Sequence, residues 1–247
     1  MLEYLLLIGV GFVAGFVNTI AGGGTLLTMP VLILMGLPSS VANGTNRVAI
    51  LIQTAIGVKG FQSKNVTTYP FSLYLGISAL LGSLIGAQIA VDIKGDTFNK
   101  ILSIIMVLVV VMILVSPKMQ LSEMIERTTG KYLYISIIVF FFLGIYGGFI
   151  NAGIGFMMLI VLPYVNRLSL VKSNATKVAV VCIYTIGAVF MFALNDKVNW
   201  KLGLILAIGN ASGAWISSRW SVGKGDRLVK IFVVMMICIL SIKLWFF

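Results

Sequence analysis

The sequence contains no histidine, only two cysteines and only seven acidic residues in 247 positions. The missing histidine removes the commonest proton shuttle, the commonest metal ligand and the usual base of a serine nucleophile. Cys182 and Cys238 lie inside apolar segments and are expected to be small core residues rather than a disulfide or a metal pair. A Walker A motif is also missing from the sequence. We therefore expect no enzyme, no metal and no cofactor.

Charged residues are scarce, at 10% of the chain, whereas a soluble domain has roughly a quarter. The chain is 60% hydrophobic, with a mean hydropathy of +1.09. Stretches without any charge cover 66–91, 132–166 and 178–195. Each is long enough to cross a hydrocarbon core, which takes about 20 helical residues. These segments lack the strict alternation of a barrel strand, so the sequence predicts an all-α, polytopic integral membrane protein.

The net charge of +11 comes from basic residues that are dispersed among short loops. A nucleic-acid-binding protein would instead show a basic stripe or a folded basic domain. We expect no nucleic-acid partner. The basic residues are expected to contact anionic lipid head groups of the bilayer and to set the topology.

An internal repeat divides the chain into two halves. Its two strongest matches pair GFVN at 15–18 with GFIN at 148–151, and NGT at 43–45 with NAT at 174–176. Further matches follow in the same order: Gly22 with Gly155, Pro30 with Pro163, Arg47 with Lys177 after one skipped residue, Gly86 with Gly213, and Lys100 with Lys230. We predict a first transmembrane repeat over 1–120, a polar linker over 121–131 and a second repeat over 132–247.

Each half is predicted to contain a glycine-broken hairpin of short helices and three transmembrane helices. The predicted segments lie near 5–18, 25–37, 47–62, 69–91 and 98–116, and again near 132–150, 156–166, 176–195, 201–218 and 228–246. The first leg of 14 residues would rise only about 21 Å. The two short legs form either a re-entrant hairpin or one broken crossing. Lys and Arg divide twelve to six between the two sides for hairpins and ten to eight for crossings, which favours hairpins and hence inverted repeats.

The glycine cluster Gly22, Gly23 and Gly24 interrupts an apolar region, and Asn18 and Asn151 lie beside the two breaks. Backbone groups cannot remain unpaired in lipid. The break is therefore expected to face protein or a watery cavity, where a ligand could approach bare N–H groups. The two asparagines either cap the breaks or bind a ligand, and these roles can coexist.

A second polar group consists of two matching sets that each precede an apolar segment: Asn43, Thr45 and Arg47, and Asn174, Thr176 and Lys177. Asn and Thr are good N-caps, and a helix N-terminus attracts anions. A cation in the first turn opposes the helix dipole. We interpret the two cations as positive potential collected for an anion; a simple cap followed by an interfacial cation is the alternative. Gln53 and Tyr184 follow these sets and could reach a cavity.

All seven acidic residues lie in or near connecting segments. A cation substrate would usually need a carboxylate at membrane depth. The distribution of acidic residues therefore favours an anionic substrate.

The motifs GFVNTIAGGGTLLTMP and VANGTNRVAI, with the fainter copies GFINAGIGFMMLIVLP and KSNATKVAVV, resemble the sulfite exporter TauE/SafE family of membrane permeases. The resemblance extends over essentially the whole chain. It implies transport of small anions, typically sulfite, sulfonates or sulfoacetate, across the plasma membrane of a prokaryote. It fixes neither the substrate nor the direction of transport. The second half departs from the first because Gly155 is followed by Phe156 and Met157 instead of glycines.

We therefore predict a secondary anion transporter that works by alternating access at the interface of the two repeats. The predicted substrate-binding residues are Asn18, Gly22, Gly23, Gly24, Asn43, Thr45, Arg47, Asn151, Asn174, Thr176 and Lys177. Two alternatives stay open: an anion channel, and a scaffold for another membrane complex that uses Gly82, Gly86 and Gly213 for close packing. A coupling proton or sodium ion and a homo-oligomer are both compatible with the sequence.

Overall fold

A computed structural model describes residues 2–93, 97–98, 100–101, 104 and 125–246, with side chains described up to Gly223. Eight helices have their bounds in this part of the chain, and we number them in order. They are α1 Leu2–Ile20, α2 Thr25–Leu34, α3 Ser39–Gln62, α4 Phe71–Asp92, α5 Gly130–Phe149, α6 Ile154–Asn166, α7 Leu170–Leu194 and α8 Trp200–Phe246.

The predicted all-α membrane architecture is confirmed. Four of the helices, α1, α4, α5 and α7, are long and apolar enough to cross a membrane. The helices α2 and α6 have only 10 and 13 residues, so they rise about 15–20 Å against a hydrocarbon core of about 30 Å. One short apolar helix therefore follows the first helix of each half.

Several predicted boundaries are wrong, including the starts of α3, at Ser39 instead of near 47, and of α7, at Leu170 instead of near 176. The first leg, predicted over 5–18, is the 19-residue helix α1, because no residue breaks the helix before Gly22. The segments predicted near 201–218 and 228–246 are one continuous helix, α8. This stretch contains no proline, and a glycine inside a helix costs only about 1 kcal/mol. Most of the segment predicted near 98–116, and the first part of the predicted linker, lie outside the described residues.

The two halves interlock through equivalent helix pairs. Helix α1 packs against α8, and α4 packs against α5. A Cβ atom on Gly15 would lie 2.2 Å from the carbonyl oxygen of Asn210, and one on Gly148 would lie 2.2 Å from that of Ser83. Because Gly15 and Gly148 are matching positions of the repeat, both interfaces use the same close backbone approach.

The glycines that the scaffold alternative assigned to an outside partner are used inside the chain. A Cβ atom on Gly82 or Gly86 would lie 2.1 or 1.9 Å from a carbonyl oxygen of α5, and one on Gly213 would lie 2.1 Å from a carbonyl oxygen of α1. Such distances leave no room for a side chain. These glycines therefore serve the packing between the two halves.

Helices α3 and α7 pack against each other, and each also packs against one helix of the other half, α8 and α4 respectively. When Asn43 is placed on Asn174, Gln53 falls on Tyr184 and Phe61 falls on Phe192. A continuous helix cannot skip a residue without a bulge. In this helical register Lys177 therefore matches Asn46, and Arg47 matches Val178, which corrects the pairing of Arg47 with Lys177.

Candidate functional site

The two breaks lie directly against each other. Gly22 has φ +94° and Gly153 has φ +75°, a backbone conformation that glycine adopts without strain. A Cβ atom on Gly22 would lie 2.4 Å from the Cα atom of Gly155. Gly22, Gly23 and Gly24 are all buried. The glycine break thus faces protein. This agrees with the expectation that backbone groups at membrane depth must be satisfied away from lipid.

The Asn-X-Thr stretches lie inside helices and not at their starts. Helix α3 begins at Ser39 and α7 at Leu170, so each asparagine is the fifth residue of its helix and each cation lies about two turns from the start. The predicted N-cap role of Asn43 and Asn174 is therefore wrong. The four residues before each asparagine contain no helix breaker, and the helix extends back through them. Ser169 caps α7 instead, with its hydroxyl accepting from the backbone N–H of Lys172 at 3.2 Å.

Lys177 caps the C-terminal end of α1 from the other half of the chain. Its Nζ donates to the carbonyl oxygens of Asn18 at 3.1 Å and Thr19 at 2.8 Å, and to Oδ1 of Asn174 at 2.7 Å. The residue is 2% exposed. A helix C-terminus carries unpaired carbonyls and a partial negative charge, which favours a cation. Three acceptors engage all three N–H bonds of Nζ. Lys177 therefore contributes its positive potential to the site and not a free hydrogen-bond donor.

Arg47 holds the end of α5 in a similar way. Its terminal nitrogens donate to the carbonyl oxygen of Gly147 and, at 3.0 Å, to that of Gly148. The side chain is fully buried, with its guanidinium carbon 5.9 Å from the ring centroid of Phe192. Within the described part of the chain, neither Arg47 nor Lys177 forms an ion pair. Two buried cations are thus held by neutral oxygens.

The asparagines beside the breaks make equivalent contacts. Nδ2 of Asn18 donates to Oε1 of Gln53 at 3.3 Å, and the hydroxyl of Tyr184 donates to Oδ1 of Asn151. Because Gln53 and Tyr184 are matching positions of α3 and α7, the two pairs are related by the repeat. Nδ2 of Asn151 also donates to Oγ1 of Thr25 at 3.1 Å.

A small cavity, which we call the central cavity, lies between the two halves. It offers about 10 Å³ to the centre of a water-sized molecule, which is room for about one water. It brings together residues of both halves: Asn18, Gln53, Thr54, Asn151, Ile154, Gly155, Lys177, Val178 and Val181. Of the predicted site residues, three line this cavity with their side chains: Asn18, Asn151 and Lys177.

Other predicted residues form a separate group around the end of α5 or point elsewhere. Nδ2 of Asn43 donates to the carbonyl oxygen of Phe149 at 2.8 Å, next to the carbonyls that Arg47 holds. Thr45 accepts a hydrogen bond at 2.9 Å from the backbone N–H of Asn199, before α8. Thr176 donates to a carbonyl oxygen one turn earlier in its own helix. The predicted substrate-binding residues therefore do not all meet at one place.

The sequence analysis named Gln53 as able to reach a cavity but did not include it among the binding residues, and it missed Thr54 and Asn210. Nδ2 of Asn210 donates to Oε1 of Gln53 at 3.2 Å, and both side chains are 1% exposed. The signal for both was an amide side chain within an apolar segment, which costs free energy in lipid unless it is satisfied inside the bundle. Thr54 carries no such signal, because threonine is common in membrane helices.

Two buried oxygens, Oγ1 of Thr185 and Oδ1 of Asn210, and three buried nitrogen donors lack a hydrogen-bond partner among the described residues; the nitrogens are Nδ2 of Asn46, Nε of Arg47 and Nδ2 of Asn174. Buried polar groups are nearly always paired, so unpaired donors call for an explanation. All three nitrogen atoms belong to the residues of α3 and α7 that surround the two cations. They leave this region rich in donors and in positive charge.

These features define a class of protein: a helical membrane protein with two buried cations and with glycine breaks that meet inside the helix bundle. The chain belongs to the sulfite exporter TauE/SafE family, whose model matches residues 7–244.

Curated relatives cover nearly the whole chain. A probable membrane transporter protein of Haemophilus influenzae is 28% identical over 95% of this chain and 91% of its own length. The probable membrane transporter protein YfcA of Escherichia coli K12 is 28% identical over 97% of this chain and 90% of its own. ORF9 of Sinorhizobium, described in the same way, is 24% identical over 94% and 88%. No solved structure matches the chain. The protein is a membrane transporter of this family.

Proposed function

We propose that the protein is a secondary transporter of small anions in a prokaryotic plasma membrane, and that its substrate is a sulfur-containing anion such as sulfite, a sulfonate or sulfoacetate. The observation that carries this proposal is the burial of Arg47 and Lys177 between the halves without an acidic partner among the described residues. Burying one unpaired charge costs several kcal/mol. An anion between the halves lowers this cost, whereas a cation raises it.

In this proposal, neutral groups make most of the direct hydrogen bonds to the anion. The amides of Asn18, Asn151 and Asn174 and the backbone of the glycine breaks supply donors, while Lys177 acts through its charge because its N–H bonds are already engaged. A bidentate, fully buried ion pair is stronger than a neutral hydrogen bond. Since transport requires binding weak enough for release, neutral donors in a positive potential suit a transporter.

The size of the central cavity supports alternating access over an open channel. It holds about one water, whereas a sulfur oxyanion has several heavy atoms and needs more space. The anion therefore enters only when the elements around the cavity move. The equivalent packing of α1 on α8 and of α4 on α5 supports inverted repeats that exchange conformations.

The test combines binding and flux. Purified protein in detergent is titrated with sulfite, sulfate, thiosulfate, taurine, sulfoacetate and short carboxylates, with chloride held constant, and thermal unfolding is followed. An anion at a hundred times its Kd stabilises the folded state by about 2.7 kcal/mol. The stabilising anion is then followed into proteoliposomes, where saturable uptake and counterflow are expected. A flat response to the whole panel, together with no saturable uptake, would refute the proposal; uptake without saturation or counterflow would favour a channel.

A further inference from the structure

A second and larger cavity lies beside the end of α3. It encloses about 200 Å³ between α3, the loop that leads to α4, and α7. Its lining is partly polar and includes Val58, Phe61, Gln62, Thr67, Ala175 and Ala179. The side chains of Lys59 and Lys64, at and just after the end of α3, are exposed. A positive surface potential near an opening raises the local concentration of anions.

This second cavity and the central cavity are formed by the same two helices. Thr54 and Val178 line the central cavity, and Val58 and Ala175, each about one turn away, line the second. Between them the helices touch: a Cβ atom on Gly57 would lie 3.0 Å from Cγ1 of Val178. Val178 also belongs to one apolar cluster with Phe61 and Ala175. An apolar contact therefore separates the two cavities.

At the matching place of the other half, the corresponding space is filled. Gly44, which matches Ala175, has no room for a side chain, because its Cβ atom would lie 2.0 Å from the carbonyl oxygen of Lys197 and 3.0 Å from Cβ of Phe192. Next to it, Thr45 accepts from the backbone N–H of Asn199 at 2.9 Å. The α7–α8 loop thus packs on the start of α3, whereas a cavity lies between the α3–α4 loop and the start of α7.

Arg47 lies on the same side as the filled space around Gly44. Arg47 matches Val178 in the helical register, and its guanidinium lies near Phe192, just as Val178 clusters with Phe61. Arg47 is tied to the end of α5 by two hydrogen bonds, while Val178 makes an apolar contact. Equivalent positions of the two repeats are therefore in two different states, one closed by hydrogen bonds and one leading to a cavity.

We propose that the 200 Å³ cavity is the vestibule from which the transported anion reaches the central cavity, and that the contact of Thr45 with Asn199 is the closed gate on the opposite side. This inference rests on the proposed anion transport. When the repeats exchange states, the α7–α8 loop leaves the start of α3 and the α3–α4 loop closes on the start of α7. A vestibule then forms around Gly44 and Val48, the positions that match Ala175 and Ala179.

The vestibule is tested by thiol labelling in a background with Cys182→Ser and Cys238→Ser. Ala179→Cys places a thiol in the vestibule, and Val48→Cys is the matched control on α3, where the wild-type side chain is 5% exposed. A negatively charged methanethiosulfonate reagent is expected to label Ala179→Cys about tenfold faster, because Val48→Cys reacts only when the gate opens. Labelling of Ala179→Cys is expected to block sulfoacetate uptake, and sulfoacetate is expected to slow the labelling.

Three results would overturn the vestibule. Equal labelling rates at the two positions would show that the halves are not in different states. Full uptake by labelled Ala179→Cys would place the cavity off the transport path. Labelling of Ala179→Cys by an uncharged, lipid-soluble reagent but not by the charged one would show that lipid chains fill the cavity.

The gate is tested by a disulfide between Thr45→Cys and Asn199→Cys. Oxidation is expected to stop uptake and a reductant to restore it. The control pair is Ser136→Cys with Asn166→Cys, whose side chains bond at 3.0 Å within one half, and this cross-link is expected to leave uptake intact. Full uptake by the oxidised Thr45–Asn199 pair would refute the gate. The difference in labelling rate between Ala179→Cys and Val48→Cys is measured without any anion, so it separates the vestibule from the proposed transport function. If the wild type takes up the anion but the two labelling rates are equal, only the vestibule is refuted. If the wild type takes up no anion, the proposed function is refuted.

Discussion

Replacing Lys177 by glutamine removes a buried positive charge from the wall of the central cavity while keeping an amide donor near the end of α1. An anion in that cavity would lie about 4–6 Å from Nζ, where two unit charges interact by about 3–4 kcal/mol at an effective dielectric constant of 20. Since each 1.4 kcal/mol corresponds to about tenfold in affinity, we expect Lys177→Gln to weaken anion binding by about a hundredfold or more. Arg47→Gln is expected to weaken binding too, because the guanidinium is buried in the same interface.

The assay is a titration of each purified variant with the anion that stabilises the wild type, followed by thermal unfolding or calorimetry. Lys131→Gln is the matched control: it removes the same charge from an exposed position at the start of α5, where screening reduces the effect to well under about 1 kcal/mol. Lys177→Arg keeps the charge and is expected to bind within about tenfold of the wild type, since overpacking costs about 1–3 kcal/mol mostly in stability. Unchanged affinity in both Lys177→Gln and Arg47→Gln would remove the cations from the site and refute the electrostatic argument.

Two further substitutions test the packing and the hydrogen bonding around the site. Both are measured by the midpoint of thermal unfolding in detergent. Gly22→Ala is expected to destabilise the protein by about 3 kcal/mol or more, because a side chain there meets both a positive φ and a backbone clash. The control, Gly36→Ala, has φ +89° but open space around it, so it should cost only about 1–2 kcal/mol. Equal midpoints of the two variants would show that the contact with Gly155 does not matter. Tyr184→Phe leaves Oδ1 of Asn151 without its donor and is expected to cost about 1–3 kcal/mol. An unchanged midpoint would argue against that hydrogen bond.

The sequence could predict the class and the position of the breaks, because these depend on local rules. Lipid requires apolar segments of a certain length and satisfied backbone groups, and both requirements leave marks within a short window. The same reasoning failed at the start of α3. Asn43 and Thr45 are good N-cap residues, but the four residues before Asn43 are equally able to be helical, and nothing local distinguishes the two starts.

The helical register of α3 and α7 shows a related failure. Matching Arg47 with Lys177 maximised the similarity of residue types, but it required a skipped residue that a continuous helix does not allow. In the helical register the two cations lie one position apart, although each holds carbonyls at the end of the first helix of the other half, α5 for Arg47 and α1 for Lys177. Only the continuity of both helices in the fold decided this.

The sequence alone determined that this chain folds in a lipid bilayer and that the charge it buries is positive. Its apolar segments contain no carboxylates at their centres, and two cations lie within them. Tertiary structure decided what those cations touch. Arg47 and Lys177 hold carbonyls of the opposite half, 100 and 158 residues away for Gly147 and Thr19, and Gln53 meets Asn210 across 157 residues. Such contacts follow from the packing of glycine-lined helices between the halves, and packing is a property of the whole chain that no short window encodes.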